Sequence, residues 1–353
     1  LTIGGNVDIL RQEFGKRVIL LDAGDFLHGT LTANVSKGGV MIKAANAIGY
    51  TAATIGNHEF DFGPLLPGDP DKLGVIKKRI KEAAFPFLAA NITEKSSGTP
   101  ITWHNTLPST VVDIEGIQVG IIGLASPSTP LTTRPQNVET LEFLNPQPVL
   151  IREASRLREN GAQLIILVSH MGDKCPDTQN PNDLSSCNGK GELFSLLESM
   201  PKNLIDVAVG GHTHSVIAHW IGSTATVEAA YRGKKFTWVE ACLGDNGEMD
   251  REKTTIHQPI DTCLTTWADG QCGFRESPTE TIPATFRGKT VQIRTSVKEA
   301  VQPFIDEVSL TRNALIHSTL PKPFLRTPKQ GLSLGDAVAE AMRRSIQADV
   351  GIQ

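Results

Sequence analysis

The sequence predicts an α/β fold with a sheet that is at least partly parallel. Three observations carry this expectation. Continuous apolar runs of strand length alternate with helical patterns over the first two thirds of the chain. Four of those runs lead straight into clusters of polar, metal-type side chains, as strand ends do in open α/β sheets. The composition, 39% hydrophobic and 20% charged over 353 residues, is that of a folded globular protein long enough for one large domain or two ordinary ones.

Taken in order, Val18 to Leu21 is an apolar run and reads as a strand. Ser36 to Ile48 has helical spacing, with Val40, Ala44, Ala47 and Ile48 on one face. Thr51 to Ile55 is strand-like. Leu73 to Ala84 reads as a basic amphipathic helix, whose Lys77, Lys78, Arg79 and Lys81 form a solvated face. The strand Phe85 to Ala89 follows, then a buried strand at Ile117 to Leu124. Pro148 to Asn160 reads as a helix ended by Gly161. Leu164 to Val168 and Ile205 to Val209 are strands.

From about Ile217 the texture changes. Ala225 to Ala230 and Lys235 to Ala241 are rich in Thr, Val and aromatics at antiparallel strand length. Pro259 to Gly288 is dense in Pro and Gly and reads as loops at a domain edge. Ser296 to Thr311 reads as a helix in which Pro303 makes a kink or marks the first turn. Leu334 to Ile346 is a second amphipathic helix with Ser333 as N-cap. Ala348 to Gln353 reads as the start of another strand.

Net charge is −4 and no basic stripe stands out, so a nucleic-acid polymer is not an expected partner. No apolar run approaches the roughly 20 residues of a membrane helix, and the residues from Leu1 carry no signal-peptide pattern. Of the five cysteines, Cys175 with Cys187 and Cys263 with Cys272 each bracket a short polar loop. That arrangement predicts two local disulfides and an oxidising compartment, extracellular, periplasmic or cell-surface, with Cys242 left over as a buried thiol. No Cys-x-x-Cys spacing occurs, which argues against a structural zinc site.

The chemistry lies where the four strands end. The first leads into Asp22-Ala-Gly-Asp25, the second into Gly56-Asn57-His58-Glu59-Phe60-Asp61, the third into Ser169-His170, and the fourth into Gly210-Gly211-His212-Thr213-His214. If the strands are parallel neighbours, the clusters converge. Glycines before Asp25, Asn57 and His212 permit tight turns there. Imidazoles, a carboxylate and an amide carbonyl suit borderline and hard divalent ions such as Zn, Mn, Fe or Co. A carboxylate can bridge two ions roughly 3.5–4 Å apart, leaving a nearby imidazole to protonate a leaving oxygen. Asp22 reads as structural, and Glu59 as either a support for the ligands or an ion-pair partner. His28 reads as a loop residue or a substitute ligand. His104, His219, His257 and His317 read as ordinary core or surface histidines.

Gly-Asp-x-x-x-x-Gly (24–30), Gly-Asn-His-Glu-Phe-Asp (56–61) and Gly-His-Thr-His (211–214) resemble the calcineurin-like metallophosphoesterases. Ala-Ile-Gly-Tyr (47–50), Phe-Pro-Phe-Leu-Ala-Ala-Asn (85–91) and Gly-Ile-Gln-Val-Gly-Ile-Ile-Gly-Leu (116–124) resemble the 5′-nucleotidase branch. So do Leu334-Gly335-Asp336, Ala341-Met342 and Ala348-Asp349-Val350, which are similar to the start of its substrate-binding domain. The resemblance implies a four-layer α/β/β/α sandwich over residues 1–290. Residues 291–353 would then be a linker helix and the beginning of a second α/β domain. It implies two divalent metal ions, with Asp25 bridging them. Asn57, His170 and His212 would complete one site, and His214 would belong to the other. His58 would be transition-state stabiliser and general acid, oriented by Asp61.

The implied reaction is hydrolysis of a nucleotide phosphate ester by a metal-bridging hydroxide. Nucleoside monophosphates, UDP-sugars and 2′,3′-cyclic nucleotides are the implied substrate classes. The family's Asp-x-His motif is expected before Leu1 and its Asn-x-Gly-Gly-x-Arg segment after Gln353, so the chain reads as a piece of a longer protein. Two other readings stand beside this one: a catalytically inactive metal-binding or binding module, and a relative that hydrolyses sulfate from a thiosulfonate.

Overall fold

The computed structural model describes residues 2–273, 280–314 and 334–348. The chain divides into two compact units, Leu1–Val308 and Ser309–Gln353. In the first unit the helix α1 (Thr2–Phe14) opens the chain, where the Gly4-Gly5 pair gave no helical signal. Glycine costs roughly 1 kcal/mol inside a helix, but a Cβ on Gly5 would lie 2.2 Å from the carbonyl oxygen of Gln292. Close backbone packing therefore requires glycine there and compensates for its low propensity. Val7, Ile9 and Leu10 join Leu20, Phe236, Phe286 and Val291 in one buried cluster.

The next elements are β1 (Leu21–Asp22), α2 (Leu31–Val35), α3 (Gly39–Ile48), β2 (Ala52–Thr54), α4 (Gly74–Glu82), β3 (Phe87–Leu88), β4 (Ile92–Glu94) and β5 (Thr106–Leu107). There follow β6 (Ser109–Ile114), β7 (Ile117–Leu124), α5 (Thr129–Thr132), β8 (Leu141–Phe143), α6 (Pro146–Glu159), β9 (Leu164–Ser169), α7 (Glu192–Glu198), β10 (Val207–Gly210), β11 (Val216–Ile221) and β12 (Thr224–Ala229). One sheet has the order β1-β2-β3-β5, parallel throughout. The other has the order β11-β12-β10-β9-β7-β6, parallel through its four central strands and antiparallel at both edges.

Three cores separate four layers. Ile42, Ala45, Ile76 and Ile80 of α3 and α4 pack on Ala53 and Phe87 of the first sheet. Ala52 and Leu88 on that sheet's other face meet Ile121, Ile166 and Val227 of the second. Leu150 and Leu157 of α6, with Phe194 of α7, cover the second sheet's far face at Ile122 and Leu167. The four-layer α/β/β/α sandwich is thus present. The strands carrying the ligand clusters are parallel neighbours in pairs: β1 beside β2 in one sheet, β9 beside β10 in the other.

Several expectations shift for physical reasons. The strand expected at Val18 to Leu21 is reduced to Leu21–Asp22, because the Leu20 N–H bonds to the Thr51 hydroxyl at 3.1 Å instead of a ladder carbonyl. The strand expected at Lys235 to Ala241 is broken in two. Lys235–Phe236 pairs with Ile260–Asp261 and Val239–Glu240 with Thr255–Ile256, while Trp238 between them stacks on His257 at 4.2 Å. Pro259 to Gly288 is not loop alone: Thr265–Trp267 pairs with Thr281–Pro283. Arg79 does not belong to a solvated face. Its guanidinium is largely buried, donates to the Lys37 and Ser36 carbonyls at 2.8 and 3.1 Å, and so pins the turn before α3.

The helix α8 (Thr295–Arg312) runs through Pro303, which therefore does not mark its first turn. Pro303 has no N–H to give to the carbonyl one turn back. In the second unit, α9 (Leu334–Ser345) carries exposed Leu334, Val338 and Met342 at four-residue spacing. The expected N-cap Ser333 and the strand residues from Asp349 onward lie outside the described residues.

Both expected disulfides form, Cys175–Cys187 and Cys263–Cys272. Cys242 is free and only half buried. Closing a loop of this length stabilises a fold by about 3 kcal/mol in the chain-entropy model. Reduction is therefore expected to lower the melting temperature and to add four alkylatable thiols to the one at Cys242. An unchanged alkylated mass after reduction would remove both disulfides from the argument.

Candidate metal centre

Each ligand-bearing segment leaves its strand by an abrupt turn at one end of the two sheets. Gly24 has φ +90°, as expected of a turn glycine. Gly56 and Gly211, however, do not adopt left-handed backbone. The ligand residues themselves do, with φ +59° at Asp25, +73° at His212 and +57° at His214. Such backbone costs a non-glycine residue of order 1 kcal/mol or more and clusters at functional sites. Gly56 is needed for closeness instead: a Cβ there would lie 2.4 Å from Asp25 Oδ1.

The clamp that holds these turns is Glu59. Its buried carboxylate accepts from the backbone N–H groups of Asp25 (2.8 Å), Phe26 (2.5 Å), Leu27 (3.0 Å) and Gly56 (2.6 Å). Burial, and then the charge on Asp25, raise its pKa against the pull of those donors. Glu59 thus ties the loop after β1 to the loop after β2, the role that sequence left open. Asp22 accepts from the Gly24 N–H at 3.0 Å, and burial, with the charge of Glu59, pushes its pKa up to about 7. On the other sheet, Glu228 lies under the Gly-His-Thr-His turn. It contacts the Thr213 hydroxyl at 2.8 Å and the Ser215 N–H at 3.2 Å, and burial raises its pKa to about 8.

Four donor atoms converge above these supports. His170 Nε2 lies 3.1 Å from Asp25 Oδ2, 3.0 Å from Asn57 Oδ1 and 3.2 Å from His212 Nδ1. Asp25, His170 and His212 each offer a ligand atom within 4.8 Å of the others. The orientations are fixed from behind. His170 Nδ1 lies 2.7 Å from the Ala23 carbonyl, so it carries the hydrogen and Nε2 presents its lone pair. Asn57 Nδ2 donates to the Thr132 carbonyl at 2.9 Å, which turns Oδ1 toward His170.

Three lone-pair atoms, each about 3 Å from His170 Nε2, crowd that nitrogen unless positive charge sits among them. A tetrahedral shell at roughly 2.0–2.1 Å has edges of about 3.3 Å, so the set fits a divalent ion. Its N/O chemistry is that of Zn, Mn, Fe or Co. The positive charge there can be a proton shared by His170 and Asp25, which a bound cation would displace. Burial opposes charge on His170, yet the contact with Asp25 outweighs it and raises the pKa; Asp25 is lowered, against its burial, by the same pairing. His212 is lowered by burial and by the charge of His170.

Beside this cluster, His58 Nδ1 lies 2.6 Å from Asp61 Oδ2, and the Thr133 hydroxyl donates to Asp61 Oδ1 at 2.9 Å. The His58 N–H of the main chain donates to Asp25 Oδ1 at 2.9 Å, which couples this pair to the cluster. The Asp61 hydrogen bond raises the His58 pKa to about 9. His214 is not among the four converging side chains; its ring stacks on Tyr231 at 5.1 Å.

His28, which the sequence left as a loop residue or a substitute ligand, lies beside His58. It does not reach the Asp25 cluster. Its ring stacks on His58 at 5.3 Å, and its Nε2 lies 4.0 Å from Asp61 Oδ2. The one signal for it was its place three residues after Asp25. His219 is buried beside the Cys175–Cys187 disulfide, with Nε2 3.0 Å from the Asp177 carbonyl. His257 pairs with Glu240.

Comparison with known proteins gives a consistent picture. The family model described as calcineurin-like phosphoesterase matches residues 5–216. A cell wall protein of Listeria monocytogenes, Lmo0130, is 28% identical over 237 residues, 64% of this chain and 29% of that protein. A snake venom 5′-nucleotidase of Gloydius brevicauda is 32% identical over 217 residues, 61% of this chain and 31% of the relative. The crystal structure of a 5′-nucleotidase precursor from Thermus thermophilus superposes with a TM-score of 0.63 at 23% identity, covering 89% of this chain and 54% of that one. The chain spans less than half the length of the two curated relatives.

Proposed function

The chain belongs to the calcineurin-like phosphoesterase family, and from that premise we propose that it hydrolyses nucleotide phosphate esters at the Asp25 cluster. The observation that carries the reading is the convergence of Asp25, Asn57, His170 and His212, whose fixed lone pairs fit a divalent cation. These four residues would hold one ion. The second would share Asp25 and take His214. Divalent ions bound there supply Lewis acidity to the phosphoryl oxygens and lower the pKa of water.

The chain's own groups do the proton work. Asp61 holds His58 by Nδ1 and keeps it protonated at neutral pH. Nε2 is then the face that meets substrate, and it gives its proton to the leaving oxygen as the P–O bond breaks. The bonding pair leaves with that oxygen. Thr133 fixes Asp61, and the main chain of His58 is anchored on Asp25. The 5′-nucleotidases among the relatives support nucleoside monophosphates as substrates; nucleotide sugars and 2′,3′-cyclic nucleotides are the further classes that the sequence motifs imply.

In the same reading, residues 291–353 are a linker helix and the beginning of a substrate-binding domain. The two disulfides and the cell wall and venom relatives support a location outside the cytoplasm. Among the described residues, no helix is long and apolar enough to cross a membrane.

Product release from each substrate class, with Mn, Zn or Co supplied, tests the proposal: phosphate from a nucleoside monophosphate, UMP and sugar phosphate from a UDP-sugar, and an opened monoester from a 2′,3′-cyclic nucleotide. Tight metal uptake with no release from any class would favour a binding module instead. Chelation is expected to abolish release and to lower the melting temperature. A ligand at a hundred times its Kd contributes about 2.7 kcal/mol to stability. Readdition of metal should restore both, and a melting temperature indifferent to metal would count against the cluster as a cation site.

A further inference from the structure

We propose that His28, His58 and Asp61 form a third cation site, separate from the Asp25 cluster, that takes zinc and, when filled, silences His58. Their ligand atoms all lie within 4.8 Å of one another. Two imidazoles and one carboxylate are the protein donor set of an open three-ligand zinc site, in which water completes the tetrahedron. The two rings are nearly parallel, 16° apart, at a centroid distance of 5.3 Å. Both therefore present an edge nitrogen to the same oxygen, Asp61 Oδ2, with His58 Nδ1 at 2.6 Å and His28 Nε2 at 4.0 Å.

The site is both held and accessible. Thr133 anchors the other Asp61 oxygen, and Phe62 backs the His28 ring at 5.7 Å. The side chains of His28, His58 and Asp61 are 35%, 40% and 21% exposed, so an ion can enter from solvent without local unfolding. Donors at roughly 2.0–2.1 Å from one ion stand about 3.3 Å apart, so the His58 contact at 2.6 Å must open and the His28 contact at 4.0 Å must close.

Zinc there takes the lone pair of His58 Nδ1, and the proton that bridges His58 and Asp61 leaves to solvent. The metal bond replaces the hydrogen bond by which Asp61 orients His58, so the ring turns with the ion and Nε2 is no longer held for proton transfer. Magnesium prefers oxygen ligands and retains its waters, and it does not compete for this site. The effect on turnover rests on the hydrolytic reading above; the binding itself does not.

The experiment uses the full chain with its Asp25 cluster already loaded, dialysed against rising zinc, beside His28→Phe. Phenylalanine keeps a ring against His58 and Phe62 and removes both nitrogens. Circular dichroism melts establish that the variant is folded; His28→Gln replaces it if it is not. The native chain is expected to bind one zinc ion more than the variant. Its hydrolysis should fall by about 10²-fold, the scale of a lost general acid, while the variant's rate under the same zinc is unchanged. Equal zinc uptake by native chain and variant overturns the site. Unequal uptake with equal loss of turnover overturns the silencing of His58. If no substrate is turned over by either protein, the hydrolytic reading fails while the dialysis still decides the site.

Discussion

Replacing His58 with Asn is expected to lower phosphate release by about 10²–10⁴-fold, the usual worth of a positioned general acid, while metal content stays unchanged. Two parts of the geometry lead to this separation. The His58 side chain is bonded to Asp61 and is not one of the four atoms that converge on the cation position. The main-chain N–H that anchors the segment to Asp25 survives the substitution.

The pH dependence follows with a definite sign. The Asp61 hydrogen bond raises the His58 pKa from 6.5 to about 9. The acid form is therefore present through neutral pH, and the rate should fall as pH rises through about 9. In Asp61→Asn the raising partner is gone, so the fall should move toward the ordinary imidazole range. A His58→Asn protein that loses its metal along with its activity would reassign His58 as a ligand. An alkaline limb that Asp61→Asn leaves in place would detach it from His58.

The second large effect is expected at Glu59, which touches no cation. Glu59→Ala leaves the N–H groups of Asp25, Phe26, Leu27 and Gly56 without their acceptor. Each buried donor without a partner costs about 1–3 kcal/mol, and net stability is only about 5–15 kcal/mol. A large drop in melting temperature is expected, together with a roughly 10- to 100-fold loss of metal affinity of the kind seen when ligand supports are removed. Glu59→Gln keeps one carbonyl oxygen but turns an NH₂ group toward N–H donors, so an intermediate loss should result. Metal affinity at the native level in a folded Glu59→Ala protein would show that the two turns hold themselves.

The side-chain types of the candidate site were legible in the sequence because they are encoded over a few residues. Gly56 to Asp61 and Gly211 to His214 combine turn residues with imidazole, amide and carboxylate groups at the end of apolar runs, and each is a local pattern. The pairing of His58 with Asp61 was legible for the same reason, being three residues apart. The strand Ile117 to Leu124 was read to the residue, since its apolar run from Val119 is short and holds two glycines that disfavour a helix. The helix α1 was hidden by Gly4 and Gly5, whose propensity speaks against it, while the contact of Gly5 with Gln292 speaks for it. The Lys235 to Ala241 strand was misread because its two halves find different partners.

By itself, then, the sequence determined the α/β class and the donor types, which depend on composition and spacing within single segments, and its motifs carried the family likeness and the layering that this implies. Only the tertiary structure decided which donors face one another. Asn57 and His170 meet across 113 residues, Glu59 grips a loop 34 residues away, and His28 lies on His58 rather than on Asp25. It also decided that Asp25 and His212, rather than Gly56 and Gly211, carry the left-handed backbone. The physical reason is that two sheets must pack their apolar faces together before their ends coincide. Lone pairs are forced to converge, and backbone strain is tolerated, only where that packing holds both turns in place.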